Sequence, residues 1–195
     1  MQKQICTIMK QTILVAIALL IINSFVGCNS ATQNSNAEKY VCIPCGHDCD
    51  AVVTLKPGEC EHCKMEMVKQ SAIVNANMLP ADLYPFMIKT GMQDVVLLDV
   101  RTAEEFNGTA KEKFGRLKNA INIPVQELKD RIKELENFKN KNIIVYCSHG
   151  HRSSAAAYQL TQAGFTKVIN LLYGMHMWKE EVKDSASNQN LYIAQ

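Results

Sequence analysis

The sequence lacks a surplus of charge of either sign. Its 195 residues carry 21 Lys and Arg against 19 Asp and Glu. Two of the lysines, Lys3 and Lys10, sit in the first 27 residues, which hold no acidic residue, so the remainder balances at 21 − 2 = 19 against 19. A basic footprint for nucleic acid is missing, and that class of partner is discounted. A long hydrophobic run is missing too. The apolar stretch 12–26 has about 15 residues, where a membrane-spanning helix needs roughly 20. Nor do the eight cysteines spread as a disulfide framework does. Five fall between Cys42 and Cys63, Cys147 stands alone, and Cys6 and Cys28 flank the apolar stretch.

What is there begins with an address. A lysine-bearing start followed by the apolar core 12–26 reads as a secretory signal peptide over residues 1–27. It closes on Phe25-Val26-Gly27-Cys28, with the polar Asn29-Ser30 after it. That ending resembles the lipobox of bacterial lipoproteins, with phenylalanine where leucine is usual. The resemblance implies cleavage after Gly27 and a lipid on Cys28, which would hold the protein stably on a membrane. A plain signal peptide with an incidental cysteine, or an uncleaved anchor, stays open. Residues 28–39 lack apolar periodicity and read as a lipidated flexible tether. The folded part is thus expected in the cell envelope, on the non-cytoplasmic side of a bacterial membrane.

Residues 40–69 form a Cys-rich segment. Cys42-Ile43-Pro44-Cys45 and Cys60-Glu61-His62-Cys63 are two Cys-x2-Cys pairs, fourteen residues apart. Each such turn points two thiolates at one place, and two turns complete the tetrahedron zinc prefers. About thirty residues cannot support a core of their own, so a metal or cross-links must stabilise them. Cys42, Cys45, Cys60 and Cys63 are the candidate metal ligands. Zinc, a softer ion such as copper(I), and disulfides in an oxidising compartment are the open alternatives. Cys49, His47 and His62 are spare donors. Tyr40-x-Cys42 and Pro57-Gly58-x-Cys60-x2-Cys63-x-Met65 resemble the small heavy-metal-binding domain joined to exported metal-handling proteins. Cys45 stands where that family has histidine, and Lys64 where it has glycine.

From about residue 72 strands and helices alternate, which predicts an α/β domain with a parallel sheet and helices on both faces. Candidate strands are Ile73-Val74, 95–100, 119–124, 143–146 and 168–171. Candidate helices run over 82–90, 125–139, 154–163 and 175–183, with a short one capped by Thr102. The tail 184–195 reads as disordered. The strand Ile143–Tyr146 stops at Cys147, and Arg152 follows five residues later at a helix start. Such a turn makes a cup lined by backbone N–H groups, suited to an anion and able to stabilise a thiolate.

Four motifs in order carry a second resemblance. They are Leu98-Asp99-Val100-Arg101 with Glu104-Glu105-Phe106, then Gly115 to Pro124, then Cys147-x2-Gly150-x-Arg152-Ser153, then Asn170-Leu171-x2-Gly174-Met175-x2-Trp178. Residues 72–183 resemble a single rhodanese domain. Arg116 and Asn119 depart from a common histidine and glycine, and Ser148-His149 stand where an arginine often comes first. The resemblance implies a sulfurtransferase without a required cofactor. Sulfane sulfur from a small sulfur-containing anion, thiosulfate- or polysulfide-like, would pass through a Cys147 persulfide to a thiol or cyanide. Cys147 is the expected nucleophile and Arg152 the loop brace. Ser148, Gly150 and Ser153 are expected to present inward N–H groups, and His149 and His151 to face outward and meet the donor. The cycle-phosphatase relatives have one more residue between cysteine and arginine, so phosphatase or arsenate reductase is the weaker reading. A non-catalytic module that binds metal and carries or senses persulfide is the alternative.

Overall fold

The computed structural model describes residues 37–73, 76–182 and 185–195. The expected signal peptide, Cys28 and residues 29–36 of the tether lie outside the described residues, as does Val74. No described helix is long and apolar enough to cross a membrane.

The Cys-rich segment contains β1 (Tyr40–Val41), β2 (Val53–Thr54) and β3 (Val68–Lys69), antiparallel in the order β2-β1-β3. Strands of two residues bury almost no aliphatic surface. Cys42, Cys45, Cys49, Cys60 and Met67 form the interior instead. A 3-10 turn at Asp48–Ala51 stands just before β2 and keeps it short.

The larger part follows as β4 (Ala76–Met78), α1 (Leu83–Thr90), β5 (Val95–Asp99) and α2 (Ala103–Asn107). Next come β6 (Arg116–Leu117), β7 (Ile121–Asn122), α3 (Val125–Arg131) and β8 (Asn142–Tyr146). The chain continues through α4 (His151–Gln162), β9 (Val168–Leu171), α5 (Trp178–Val182), α6 (Ala186–Gln189) and β10 (Tyr192–Ile193). Five parallel strands make the main sheet, in the order β4-β9-β8-β5-β7. Alternate side chains of a strand face opposite ways. Leu98, Ile143 and Val145 therefore pack with Leu128, Leu135 and Leu160 on one face. Leu97, Ile144 and Tyr146 pack with Leu83, Met87 and Trp178 on the other. Both faces are covered, which is why the central strands read as unbroken apolar runs. The Cys-rich segment and this domain lie in one unit, Glu38–Gln195.

Several boundaries differ from expectation. The first strand is Ala76–Met78, because Gln70–Ala72 forms a 3-10 turn just before Ile73. The helix expected over 125–139 tightens to 3-10 geometry at Ile132–Phe138, yet Leu128 and Leu135 stay fully buried. The tail is not disordered: β10 pairs with β6, and Leu191 joins the core. Asn188 is buried there and accepts from the Tyr84 N–H at 3.0 Å while donating to Ala81 O at 2.9 Å. A two-residue strand has no periodicity to read, so its pairing is settled only by contact.

The domain's most buried charges sit where β5 ends. Asp99 and Arg101 are both fully buried, with Arg101 Nη2 2.6 Å from Asp99 Oδ2. Arg101 Nη2 also donates to Gly115 O at 2.8 Å, tying the loop before β6 to the strand end. Removing one partner of such a pair strands the other charge without water. Asp99→Ala is expected to lower stability by roughly 3–5 kcal/mol, read as a lower denaturant midpoint at unchanged slope. A loss below about 1 kcal/mol, the range of exposed pairs, would show that the pair is not desolvated.

Candidate functional site

Strand β8 delivers Cys147 to the carboxyl edge of the sheet, where α/β sites gather. Cys147 is 1% exposed. Its Sγ accepts from the Gly150 N–H at 3.1 Å and lies 3.5 Å from Ser153 Oγ. The loop's first carbonyls turn the other way. Cys147 O accepts from Met175 N at 2.9 Å and Ser148 O from His176 N at 2.8 Å. Carbonyls tied outside leave the loop's amides free to face the sulfur. The 174–176 segment can come this close because a Cβ on Gly174 would collide with the Cys147 carbonyl.

Gly150 is confined from two more sides. Its φ is +99°, and a Cβ there would lie 2.9 Å from Cys45 O and 3.1 Å from Tyr173 N. Only glycine meets both the conformation and the space. Its αL-like turn also starts helix α4 at His151, three residues before the position expected from sequence.

Arg152 acts as the loop brace. Its guanidinium makes a two-pronged pair with Glu105, both contacts at 2.7 Å, and donates to Ser148 Oγ at 2.8 Å. The Arg152 bond holds the Glu105 carboxyl below the usual carboxylate range, against the opposing effect of burial. In the sequence, Glu105 stands in the Glu104-Glu105-Phe106 motif with nothing to link it to Arg152. It does close a capping box with Thr102, and the same carboxylate clamps the sulfur loop.

The two loop histidines are packed rather than turned to solvent. The His149 ring lies 4.7 Å from that of His176 and edge-on to Phe114 at 5.4 Å. The His151 ring stacks on His47 at 4.3 Å. Burial first, then neighbouring histidines, lowers both imidazole pKa values. His47, His149, Tyr173, His176 and Met177 line a cleft beside the loop. The sequence carries no signal that His47 meets Tyr173 and His176 there, because His47 belongs to the Cys-rich segment and the other two to the loop after β9.

His47 also docks the Cys-rich segment, its Nε2 2.7 Å from His149 O. Within that segment the ligand atoms of Cys42, Cys49, Cys60 and Cys63 lie within 4.8 Å of one another. Cys49 thus stands in the place expected for Cys45. The reason is Asp50, whose carboxylate accepts from the Cys45 and Gly46 N–H groups at 2.8–3.1 Å. That fixes the turn so that Cys49, one residue into the 3-10 turn, completes the group. The second turn closes through Cys60 N to Met65 O and Lys64 N to Cys60 O, both 2.9 Å. Lys64 takes φ +59° there, the conformation its glycine counterpart suits. The six described cysteines all carry free thiols.

The donor set fits a soft divalent or monovalent cation. Burial, with close neighbouring thiols, pushes the Cys42 thiol up, so thiolates crowded here call for a cation. Backbone N–H groups of Cys63 and His62 lower the Cys60 thiol, against burial. Cys42, Cys49, Cys60 and Cys63 would hold the ion, which when bound cross-links a segment that lacks an aliphatic core.

Residues 83–181 match the rhodanese-like domain family. The chain is 32% identical over 126 residues to a tRNA uridine(34) hydroxylase of Cytophaga hutchinsonii, covering 63% of this chain and 37% of that one. It is 29% identical over 98 residues to the thiosulfate sulfurtransferase GlpE of Coxiella burnetii, covering 50% of this chain and 84% of that one. A solved rhodanese-related protein from Thermoplasma volcanium is 37% identical, with a TM-score of 0.45, and the match covers 54% of this chain and 92% of that one. The chain thus spans 37% of the length of the hydroxylase. The family match begins after the Cys-rich segment.

Two outcomes test this geometry. Gly150→Ala forces a side chain into an occupied left-handed turn and should cost about 1–3 kcal/mol of stability; an unchanged denaturant midpoint would mean the loop is not so confined. Glu105→Gln tests the brace by pH. A carboxyl whose folded pKa is depressed stabilises above its unfolded pKa, near 4.3, and loses that contribution as pH falls through the lower folded value. The stability gap between wild type and Glu105→Gln should hold from neutrality to about pH 5 and close below it. A gap that stays constant to about pH 3 would break the assignment.

Proposed function

We propose that this chain, which belongs to the rhodanese-like domain family, is a sulfurtransferase that carries sulfane sulfur on Cys147. One observation carries the reading. The Cys147 sulfur sits at the end of the central strand in a six-residue loop, Cys147–Arg152, with the Gly150 N–H aimed at it. The loop closes on sulfur dimensions, without the extra residue of the phosphatase relatives.

The chemistry follows as two displacements. The Cys147 thiolate attacks the outer sulfur of thiosulfate. A new S–S bond forms to Cys147, the donor's S–S bond breaks, and its electron pair leaves with sulfite. With a polysulfide donor the leaving group is the shortened polysulfide. An acceptor thiolate or cyanide then attacks the terminal sulfur, the bond to Cys147 breaks, and its pair returns to the Cys147 sulfur. Negative charge stays on sulfur throughout, beside the preorganised Gly150 N–H and Ser153 hydroxyl, which need no rearrangement between steps. Electrons balance between donor and acceptor, so no cofactor is required for the transfer.

Arg152 is engaged with Glu105 and Ser148 and so positions the loop instead of binding the donor. Recognition of a small anionic donor falls to the loop amides and to the histidine-lined cleft. The leader-like residues 12–28 support a site in the cell envelope, tethered through Cys28.

Thiosulfate should add the mass of one sulfur atom to the wild-type protein and not to Cys147→Ser, and only the wild type should form thiocyanate from cyanide. Turnover that survives Cys147→Ser, or hydrolysis of an aryl phosphate in its place, would sink the reading. Arg152→Ala should lower kcat/KM by roughly ten- to a hundredfold, about 1.4–2.7 kcal/mol in transition-state stabilisation. Cys28→Ala should move the protein from the membrane to the soluble fraction.

A further inference from the structure

We propose that Cys45, Cys49 and His151 form a second site for a soft cation, joining the Cys-rich segment to the helix that follows the sulfur loop. Cys45 is the cysteine left out of the four-thiol group, yet it is 1% exposed. Its ligand atom and those of Cys49 and His151 lie within 4.8 Å of one another. The Cys45 and Cys49 sulfurs are 3.8 Å apart. Two sulfurs bound to one ion at about 2.3 Å stand about 3.8 Å apart in tetrahedral geometry and about 4.0 Å apart in the trigonal geometry of three donors, so the pair is already close to the spacing a shared ion requires.

Cys49 belongs to both groups, so its thiolate bridges two ions. The flanking parts are held. Asp50 fixes the Cys45–Gly46 backbone through three contacts of 2.8–3.1 Å, and the His47 ring stacks on His151 at 4.3 Å. The Cys45 thiol donates to Asp50 Oδ1 at 3.4 Å, a proton that loading releases. A narrow void between segment and helix is lined by the soft donors Cys42, Cys45, Cys63 and Met65 and by His151, with Ile43, Ser154 and Ala155 completing its wall.

Two thiolates and one imidazole favour copper(I). Structural zinc takes four protein donors, whereas thiolate and thioether surroundings select Cu(I). His151 directly follows Gly150, whose N–H faces Cys147. An ion on His151 therefore clasps the far side of the sulfur loop to a segment that the family match does not include.

The test is anaerobic titration of the full chain with Cu(I) against a chromophoric chelator. Wild type should hold two equivalents, and His151→Ala and Cys45→Ser one each. X-ray absorption should show a nitrogen donor in wild type that His151→Ala loses. His62→Ala, an exposed histidine of the same segment, should keep two. His151 lies outside the Cys-rich segment, so a far-UV spectrum like wild type's will exclude misfolding as the cause. Equal Cu(I) content and an unchanged absorption spectrum in His151→Ala overturn the second site and leave the four-thiol group standing. No bound Cu(I) in wild type overturns the second site too. Persulfide formation on Cys147 in metal-free protein reports separately on sulfur transfer.

Discussion

The structure turns on the space around Gly150. Its N–H faces the Cys147 sulfur of the same loop, and the space a Cβ would take is bounded by the Cys45 carbonyl and the Tyr173 amide. Two segments far apart in sequence thus converge with the loop on a residue with no side chain. The loop can be six residues long because this position turns left-handed, and the Cys-rich segment can sit against the loop because nothing projects from it. A Cβ there would push on the Cys45 carbonyl and the Tyr173 backbone at once. Close packing transmits such a displacement instead of absorbing it, so the cup, its back wall and its neighbour share one geometric condition.

Charge is handled with similar economy. Two arginines lie near the cup, and both are neutralised within the protein. Arg101 pairs with Asp99 in full burial, and Arg152 pairs with Glu105 beside the loop. Neither cation is left for a substrate. At the rim, burial lowers the imidazole pKa values of His149 and His151. Under the proposed sulfur transfer, stabilisation of charge at Cys147 falls to fixed dipoles such as the Gly150 N–H. Dipoles fixed in place would suit a charge that shifts by one S–S bond length between the two proposed half-reactions.

Much of this was legible before any coordinates. The apolar runs at 95–99 and 143–146 read as central strands because both their faces are covered, and Thr102 with Glu105 read as a cap because that pair recurs at helix starts. Cys147 and Arg152 were legible because strand, cysteine, glycine and arginine follow one another in a single stretch. The second job of Glu105 was not, since it depends on a residue 47 positions away. Cys49 in place of Cys45 was not, since Cys-x2-Cys spacing alone favours the pair, while the Asp50 carboxylate decides how the turn is wound. The order of the tail is not legible in the sequence because Tyr192–Ile193 is too short to show a period.

By itself, then, the chain of residues determined the local things: which runs are strands, where the candidate nucleophile sits, how long its loop is, and that a cluster of thiols must replace a missing core. These depend on neighbours within a few positions, where periodicity and turn chemistry act. Only the tertiary structure decided which four thiols meet, that His47 stacks on His151, and that the Cys-rich segment rests on the sulfur loop. Those outcomes depend on how two surfaces fit, and surface fit is a property of the whole fold, carried by no single stretch.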